Sequence, residues 1–281
     1  MKKMTTIILI VLAALLLYLG SAFVPAFFVG RGMDKSLLAG RLIVGHRGGA
    51  SLAPENTLAA LEAGINAGAD MVEVDIHLTS DGQLLVCHDE KVDRTTDGHG
   101  RIDGMTLAQA QALHVVDGNG NVTDQHLPTL DETMQLVNGR CRMLIEIKRT
   151  GNIYQGIEEK LVDAIARHNA ANWVVVQSFN DDVLFNMHRL APNQPLEKLL
   201  VCKLPGLPLC INFGSIGTFS LEKYSFVQSF NFYYHGLNAG LIDEIHAAGK
   251  QVKVWTLETP GDQPVWPTVD GYITNRPDAW K

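Results

Sequence analysis

Runs of apolar residues recur along the chain from residue 42 and alternate with amphipathic stretches. Helical periodicity is found at 153–168, 181–190 and 239–248, and another helix is predicted after Pro54-Glu55-Asn56-Thr57, with Gly68 as its stop signal. Alternating helices and strands favour a parallel sheet, and eight strands over roughly 240 residues predict a (β/α)8 TIM barrel. The predicted strands are 42–46, 71–75, 142–148, 173–179, 196–202, 226–230, 252–257 and 271–274.

Two carboxylates share one face of the second predicted strand. Alternation along residues 71–76 places Glu73 and Asp75 on one side and three apolar side chains on the other. Neighbouring like charges repel each other, so this face is either solvated or neutralised by a hard cation such as Mg²⁺ or Ca²⁺. On the third strand Glu146 and Lys148 also share a face. They indicate either a structural ion pair or a third carboxylate for the same cation.

A hairpin is predicted after the second strand, at residues 80–83. Folding back at this turn brings His88 roughly opposite Asp75, so a histidine is expected beside the paired carboxylates. His46 and Arg47 end the first strand before two glycines, a pattern typical of an anion site. Because such barrels carry their chemistry at the C-terminal ends of strands, these residues are expected to meet in one mouth.

The other histidines are interpreted as surface or core residues without a catalytic role. His77 is assigned to the strand face opposite Asp75. Glu55 is expected to support the first loop and helix, with contact to the site as the alternative. Trp255, at a late strand end, either lines the mouth or packs in the core.

The motifs resemble the glycerophosphodiester phosphodiesterase family, and the likeness extends from about residue 42 to the C-terminus. Its first half is highly specific and its last third is looser. The motifs are His-Arg-Gly at 46–48, Pro-Glu-Asn-Thr at 54–57, Glu-Val-Asp at 73–75, Asp-Gly at 81–82, His-Asp at 88–89, Arg-Thr-Thr at 94–96, Ile-Glu-Ile-Lys at 145–148, Val-Trp-Thr at 254–256 and Asp-Gly-Tyr-Ile-Thr at 270–274.

This resemblance implies a TIM barrel with a small insertion after the second strand, here about 76–127. It implies hydrolysis of glycerophosphodiesters to glycerol 3-phosphate and an alcohol, with one divalent cation, Mg²⁺ or Ca²⁺. Lys148 is expected to hold phosphate charge or to balance the carboxylates, and Trp255 to contact the substrate. The resemblance implies that His46 and His88 form the acid–base pair and that Arg47 binds the phosphate. It also implies that the metal is held by three carboxylates, Glu73, Asp75 and Glu146.

The chain departs from the family pattern near its end. Thr-Asp-Arg-Pro is usual there, whereas residues 274–277 read Thr-Asn-Arg-Pro, so position 275 lacks a carboxylate that is expected outside the core site. The segment 258–269 is short and rich in proline, which predicts a degraded last barrel helix. The uncharged segment 204–219 is predicted to be either a buried loop or a surface that dips into lipid.

Residues 1–40 predict a membrane anchor and tether ahead of a catalytic domain at 41–281. The stretch 7–29 carries no charge and is long enough to cross a bilayer. A cleaved signal peptide with its core at 7–19 is the alternative; a buried barrel helix is disfavoured because the stretch lacks a polar face. The apolar run continues beyond the small residues at 20–22, so an uncleaved anchor is preferred, with the enzyme outside the cytoplasm.

Composition narrows the range of partners. The net charge of -7 argues against nucleic acid, and the four cysteines have no zinc spacing. The oligomeric state is left open. The competing functions are a lysophospholipase D acting on membrane lysolipids, a catalytically inactive membrane-tethered binding module, and a sugar-processing barrel with Glu73 and Asp75 as its carboxylate pair. The intact histidines and carboxylates, His46, His88, Glu73, Asp75 and Glu146, disfavour the binding module. The sugar-processing barrel does not explain the two histidines with Arg47.

Overall fold

The computed structural model describes residues 40–148, 154–204, 206–212, 215–260 and 268–281. Its strands are β1 (Leu42–Gly45), β2 (Met71–Leu78), β3 (Leu84–Val86), β4 (His114–Val116), β5 (Val122–His126), β6 (Arg142–Ile147), β7 (Val174–Ser178), β8 (Leu196–Leu200), β9 (Cys202–Lys203), β10 (Leu209–Asn212), β11 (Ser215–Thr218), β12 (Ser229–Tyr233), β13 (Gln251–Leu257) and β14 (Gly271–Thr274). Its helices are α1 (Leu58–Asn66), α2 (Leu107–Gln111), α3 (Leu130–Val137), α4 (Ile157–Arg167), α5 (Asp181–Leu190) and α6 (Ala239–Ala247).

Eight of these strands form a closed parallel barrel, which confirms the predicted TIM-barrel architecture. Neighbouring strands follow the order β1, β14, β13, β12, β8, β7, β6 and β2, and β2 pairs back with β1 through Val44 and Met71. Closure places the last barrel strand, β14, directly beside the first, with Gly45 opposite Thr274. The C-terminal ends of β1 and β14 therefore reach the same mouth although they lie at opposite ends of the sequence.

Local sequence signals explain most element boundaries. Thr57 caps α1 by accepting a hydrogen bond from the Ala60 amide. Helix α3 was not predicted, although Thr129 and Glu132 form a reciprocal capping box at its start. Strand β12 was predicted at 226–230 but begins at Ser229, so that prediction was wrong by three residues.

Strand β2 is buried along its whole length, because both of its faces are covered. Val72, Val74 and Ile76 pack outward in the large core between the barrel and its helices. Met71 packs inward in a small apolar cluster that fills the barrel interior. The inward face then continues as Glu73, Asp75 and His77, so β2 runs from an apolar plug to a polar mouth.

The segment after β2 builds a small core of its own. Strand β3 pairs antiparallel with the end of β2, and β4 pairs with β5 in a separate ribbon. Seven buried side chains hold this insertion together: Leu85, Cys87, Val92, Ile102, Ala110, Val115 and Leu127. The insertion thereby anchors the chain that carries His88 against the barrel.

The described part of the uncharged segment 204–219 is not a wholly buried loop, although Cys210 and Phe219 are buried. Strands β9, β10 and β11 form a three-stranded antiparallel sheet after β8. Leu207 and Ile216 are 50% and 72% exposed. This sheet therefore presents apolar side chains to the outside of the protein.

The predicted anchor at 7–29 lies outside the described residues, and so do residues 261–267, which form much of the predicted degraded helix. Among the helices that the structure does describe, none combines the length and apolar character needed to cross a bilayer. The anchor stays a prediction.

Candidate active site

Three carboxylates meet at the C-terminal mouth of the barrel. Asp75 on β2 lies beside Glu146 on β6, and Glu73 precedes Asp75 on the same inward face. One oxygen from each group lies within 4.8 Å of the others. Their exposed fractions are 1% for Glu73, 0% for Asp75 and 6% for Glu146. Sequence analysis predicted this cluster, and the structure brings all three members together.

Lys148 lies among these carboxylates and lowers the pKa values that burial would otherwise give them. Its ammonium Nζ is 3.0 Å from Asp75 Oδ1 and 2.8 Å from Glu146 Oε1. Burial raises the pKa of Glu146 to about 7, although Lys148 opposes this rise. Burial also raises the pKa of Glu73 well above its usual range, with Asp75 and Glu146 adding to the effect. Burial acts against Asp75 too, but Lys148, His88 and Arg47 hold its pKa below the usual range.

The three carboxylates fit a hard divalent cation. All donors are oxygens, the ligand type that Mg²⁺ and Ca²⁺ prefer. Asp75 Oδ1 is buried and its contact with Lys148 lacks hydrogen-bond geometry, so this oxygen is available as a ligand. Crowding three buried carboxylates around one ammonium leaves negative charge that a cation would neutralise.

His46 lies directly after β1, in a 3-10 turn of residues His46–Gly48. Its Nδ1 lies 2.7 Å from Asn275 Oδ1. Burial, followed by the nearby Arg47 guanidinium, lowers the pKa of His46 to about 3. Position 275 was expected outside the core site. That expectation was wrong, because closure of the barrel brings the end of β14 against the end of β1.

His88 follows β3 and approaches the carboxylates from the insertion. The hairpin register pairs Ile76 with Val86, and the Cys87 amide donates to the Asp75 carbonyl at 3.0 Å. Asp75 is therefore opposite Cys87, so the predicted pairing with His88 was wrong by one residue. His88 Nδ1 lies 2.6 Å from Asp89 Oδ1. Burial lowers the pKa of His88, whereas the charge of Asp75 raises it.

Arg47 joins the carboxylates to the rim of the mouth. Its backbone adopts a left-handed conformation with φ of 51°, which points its amide at Glu73 Oε2, 2.8 Å away. Its guanidinium Nη1 donates to Glu55 Oε1 at 2.7 Å, and Nε lies 3.8 Å from Asp75 Oδ2. Glu55 thus supports the first loop, as predicted, and also holds the guanidinium in the site.

Arg94 and Asp89 were not assigned site roles from the sequence. Arg94 donates to both oxygens of Glu55 at 2.8 and 2.9 Å and to Asp89 Oδ2 at 2.6 Å. An unbroken series of charge-assisted hydrogen bonds therefore runs from His88 through Asp89, Arg94 and Glu55 to Arg47. The His-Asp and Arg-Thr-Thr motifs contained these residues, but only the tertiary structure pairs them.

His77 lies on the same face as Asp75, so its assignment to the opposite face was wrong. Residues two apart on a strand point the same way. Its Nε2 lies 3.1 Å from the His88 carbonyl oxygen and its Nδ1 lies 3.0 Å from the Tyr154 hydroxyl. Burial lowers the pKa of His77 to about 4. His77 therefore supports the backbone of His88 from inside the protein.

Asn56 is a second residue that sequence analysis quoted without assigning a role. It is buried, with a positive φ of 58°, and its amide Nδ2 donates to Asp75 Oδ2 at 2.9 Å. Its Oδ1 accepts from the Asp75 amide at 3.3 Å. This double contact fixes the carboxylate, and the Pro-Glu-Asn-Thr motif was the available signal.

Trp255 lies near the end of β13 and forms part of an aromatic group at the mouth. Its ring is 5.7 Å from Phe179 and 5.4 Å from Tyr233, measured between centroids. Its indole Nε1 donates to the Asn231 carbonyl at 2.9 Å. The ring is held in place and partly exposed, which suits an apolar wall of the site.

Residues 46–279 match the model of the glycerophosphoryl diester phosphodiesterase family. The chain belongs to this family. It is 32% identical over 242 residues to the glycerophosphodiester phosphodiesterase of Caldanaerobacter subterraneus subsp. tengcongensis. This alignment covers 85% of this chain and 95% of that protein. It is 30% identical over 258 residues to the glycerophosphodiester phosphodiesterase of Bacillus subtilis, with 85% of each chain covered.

Solved structures of the glycerophosphoryl diester phosphodiesterase family share the fold. A Silicibacter pomeroyi protein described as a putative glycerophosphoryl diester phosphodiesterase has a TM-score of 0.72 at 23% identity and covers 88% of this chain and 96% of its own. An Oleispira antarctica phosphodiesterase in complex with the product sn-glycerol-3-phosphate has a TM-score of 0.69 at 22% identity, with 84% and 94% covered. At these identities the likeness establishes the fold alone.

Proposed function

We propose that this protein is a metal-dependent hydrolase that cleaves glycerophosphodiesters to glycerol 3-phosphate and an alcohol. The observation that carries the proposal is the buried three-carboxylate cluster with two histidines at one barrel mouth. Membership of the family supports the reaction class. The product bound by the Oleispira antarctica relative supports glycerol 3-phosphate as the retained half of the substrate.

Glu73, Asp75 and Glu146 would hold one divalent cation, Mg²⁺ or Ca²⁺. When bound, such an ion supplies positive charge to a phosphodiester oxygen. Arg47 binds and neutralises the phosphate from the side of the first loop. Lys148 favours the ionised forms of Asp75 and Glu146 and offers further positive charge at the mouth.

His46 and His88 act as the acid–base pair. One imidazole removes a proton from the attacking hydroxyl as its oxygen bonds to phosphorus. The bond between phosphorus and the leaving oxygen breaks, and the other imidazole protonates that oxygen. Trp255 lines the wall against the glycerol or the alcohol. Attack by the substrate's glycerol hydroxyl would release the alcohol and give a cyclic phosphate, which water would then open to glycerol 3-phosphate, whereas direct attack by water would give glycerol 3-phosphate in one step. Detection of a cyclic product separates these routes.

The decisive assay is release of glycerol 3-phosphate from glycerophosphocholine and glycerophosphoethanolamine, with and without EDTA. We expect EDTA to abolish turnover and added Mg²⁺ or Ca²⁺ to restore it. We expect His46→Ala to lower kcat by about 100-fold or more, since proton transfer contributes typically 10²–10⁴-fold. His99→Ala, at an exposed histidine of the insertion, is the matched control. Activity that resists EDTA would rule out the metal site.

A lysophospholipid is the second candidate substrate. Ile216 on β11 and Leu207 in the turn between β9 and β10 are exposed. This small sheet follows the C-terminal end of barrel strand β8, and the active site also lies at the C-terminal ends of barrel strands. Residues 7–29 would tether the domain to a membrane, with the catalytic domain outside the cytoplasm. Turnover of a lysolipid in vesicles that exceeds turnover of glycerophosphocholine, and that falls for Ile216→Asp, would favour this substrate. Recovery of the full-length chain in the soluble fraction would contradict the tether.

A further inference from the structure

Asn275 connects His46 to a third side chain that no motif includes. Its Nδ2 donates to Glu258 Oε1 while its Oδ1 faces His46 Nδ1. Glu258 follows the end of β13, and its other oxygen accepts from the Ser51 hydroxyl at 3.1 Å. Three neighbouring strand ends, those of β13, β14 and β1, thus place these side chains in a row.

The row has a fixed donor–acceptor direction. An ionised carboxylate only accepts hydrogen bonds, so the atom of Asn275 that faces Glu258 has to be the NH₂ group. The other end of the same amide is then an oxygen, which also only accepts. His46 Nδ1 must therefore carry the proton, and Nε2 is left with its lone pair.

The backbone around Glu258 and Asn275 holds this arrangement. The Asn275 amide donates to the Leu257 carbonyl at 3.2 Å, and the Asn275 carbonyl accepts from the Ser51 amide at 3.1 Å. The Glu258 carbonyl accepts from the Trp280 indole at 2.9 Å. Both side chains therefore start from anchored positions and have little freedom to exchange roles.

We propose that Glu258 and Asn275 are positioning residues that fix the tautomer of His46, with Nδ1 protonated and Nε2 as the proton acceptor. This inference rests on the proposed acid–base role of His46. It assigns the base of the reaction to His46 and leaves His88, which faces the carboxylate of Asp89, to protonate the leaving oxygen.

The inference also explains why an amide at position 275 suits this chain. A carboxylate at position 275 would place its oxygen against a carboxylate oxygen of Glu258, and two carboxylates that share one site cannot both ionise easily. Asn275→Asp alone is therefore unfavourable here, whereas Asn275→Asp combined with Glu258→Gln restores an acceptor for His46 and a donor for position 275. The two positions form a matched pair.

The direct test is long-range ¹H–¹⁵N NMR of the full chain labelled with ¹⁵N-histidine, with the His46 signals assigned by their loss in His46→Ala. We expect wild type to show Nδ1–H and unprotonated Nε2 at neutral pH. Glu258→Leu should give a mixture of both tautomers, whereas Glu258→Gln, whose amide oxygen can still accept from Asn275, should keep the wild-type form. Because no substrate is needed, failure of the proposed function would not affect this result.

Kinetics provide the second readout. We expect Glu258→Leu and Asn275→Asp each to lower kcat by about 10-fold with little change in KM, a smaller loss than the roughly 10²–10⁴-fold contribution of a general base. We expect Glu258→Gln/Asn275→Asp to recover most of that loss. In Asn275→Asp the added carboxylate joins Arg47, Asp75 and His88 as a charge acting on His46, so the acid limb of kcat/KM should move to higher pH.

Asp278→Asn is the matched control, because Asp278 is exposed and pairs with Arg276 in the same C-terminal turn. It should leave both the tautomer and kcat at wild-type values. Protonated Nε2 in the wild type would overturn the inference. So would a Glu258→Leu variant with an unchanged tautomer, or a double variant no faster than Asn275→Asp alone.

Discussion

Glu146→Gln should stabilise the metal-free protein at neutral and alkaline pH while removing its response to metal. In the folded chain burial raises the pKa of Glu146 from 4.5 to about 7. A carboxylate whose pKa is raised by folding contributes its full stability below pH 4.5 and loses it as the pH rises through 7. Each pKa unit corresponds to about 1.4 kcal/mol, so ionised Glu146 costs about 3 kcal/mol at pH 8.

Glutamine has the size of a protonated glutamate but cannot ionise. The difference in unfolding free energy between Glu146→Gln and wild type should therefore be near zero at pH 4 and about 3 kcal/mol at pH 8, both in EDTA. For a domain of this size about 3 kcal/mol corresponds to a rise in Tm of roughly 6–12 °C. Comparing the two proteins at each pH cancels the titration of groups on which Glu146 does not act, such as His46 and His77.

Metal should remove most of the stability difference between the two proteins at pH 8. At a concentration near 100 times Kd, a cation that binds only the folded state adds about 2.7 kcal/mol to wild type. The variant lacks one of the three ligands and should gain much less. Thermal unfolding followed by circular dichroism from pH 4 to pH 8, with EDTA, Mg²⁺ or Ca²⁺, measures all of these quantities.

Glu159→Gln, at an exposed carboxylate of α4, is the matched control and should follow wild type under every condition. Two results would refute the reasoning. One is a Glu146→Gln protein that is less stable than wild type at pH 8 in EDTA. The other is a variant whose Tm rises with metal as much as that of wild type.

Two further predictions concern the fold that supports the site. Lys253→Met should destabilise the protein by about 3–5 kcal/mol in urea unfolding, because it leaves the buried carboxylate of Glu197 without its charged partner. Lys253 Nζ lies 2.6 Å from this carboxylate. A Lys253→Met/Glu197→Gln protein as unstable as the single variant would contradict this prediction. Gly64→Ala should lower the free energy of unfolding by at least about 1–3 kcal/mol in the same measurement, because the new Cβ would lie 1.8 Å from the Gly48 carbonyl oxygen. Gly118→Ala is the control, because a Cβ at position 118 would meet nothing within 4 Å.

Much of the site could be predicted from the sequence because its signals are local. Alternation along one strand fixes that Glu73 and Asp75 share a face, whatever surrounds them. The same rule places His77 on that face, so the sequence contained the information that the assignment to the opposite face missed. The hairpin at 80–83 predicted that His88 would lie close to the carboxylates. Its register was predicted only to within one residue, because the loop length alone does not fix the pairing.

The contacts between distant segments could not be predicted in this way. Asn275 and His46 are 229 residues apart and meet because the barrel closes. Arg94 and Glu55 are 39 residues apart and meet because the insertion packs beside the first loop. Neither distance leaves a periodic pattern in the sequence, so the proximity of these side chains is a property of the tertiary structure.

The sequence by itself therefore determined the barrel, the carboxylates on their strand faces and the family to which the chain belongs. Only the tertiary structure decided which side chain faces Nδ1 of His46, how Arg47 is held and that position 275 belongs to the site. The physical reason is that strand faces and turns depend on neighbours along the chain, whereas hydrogen-bond partners at the mouth depend on which strand ends lie side by side after closure.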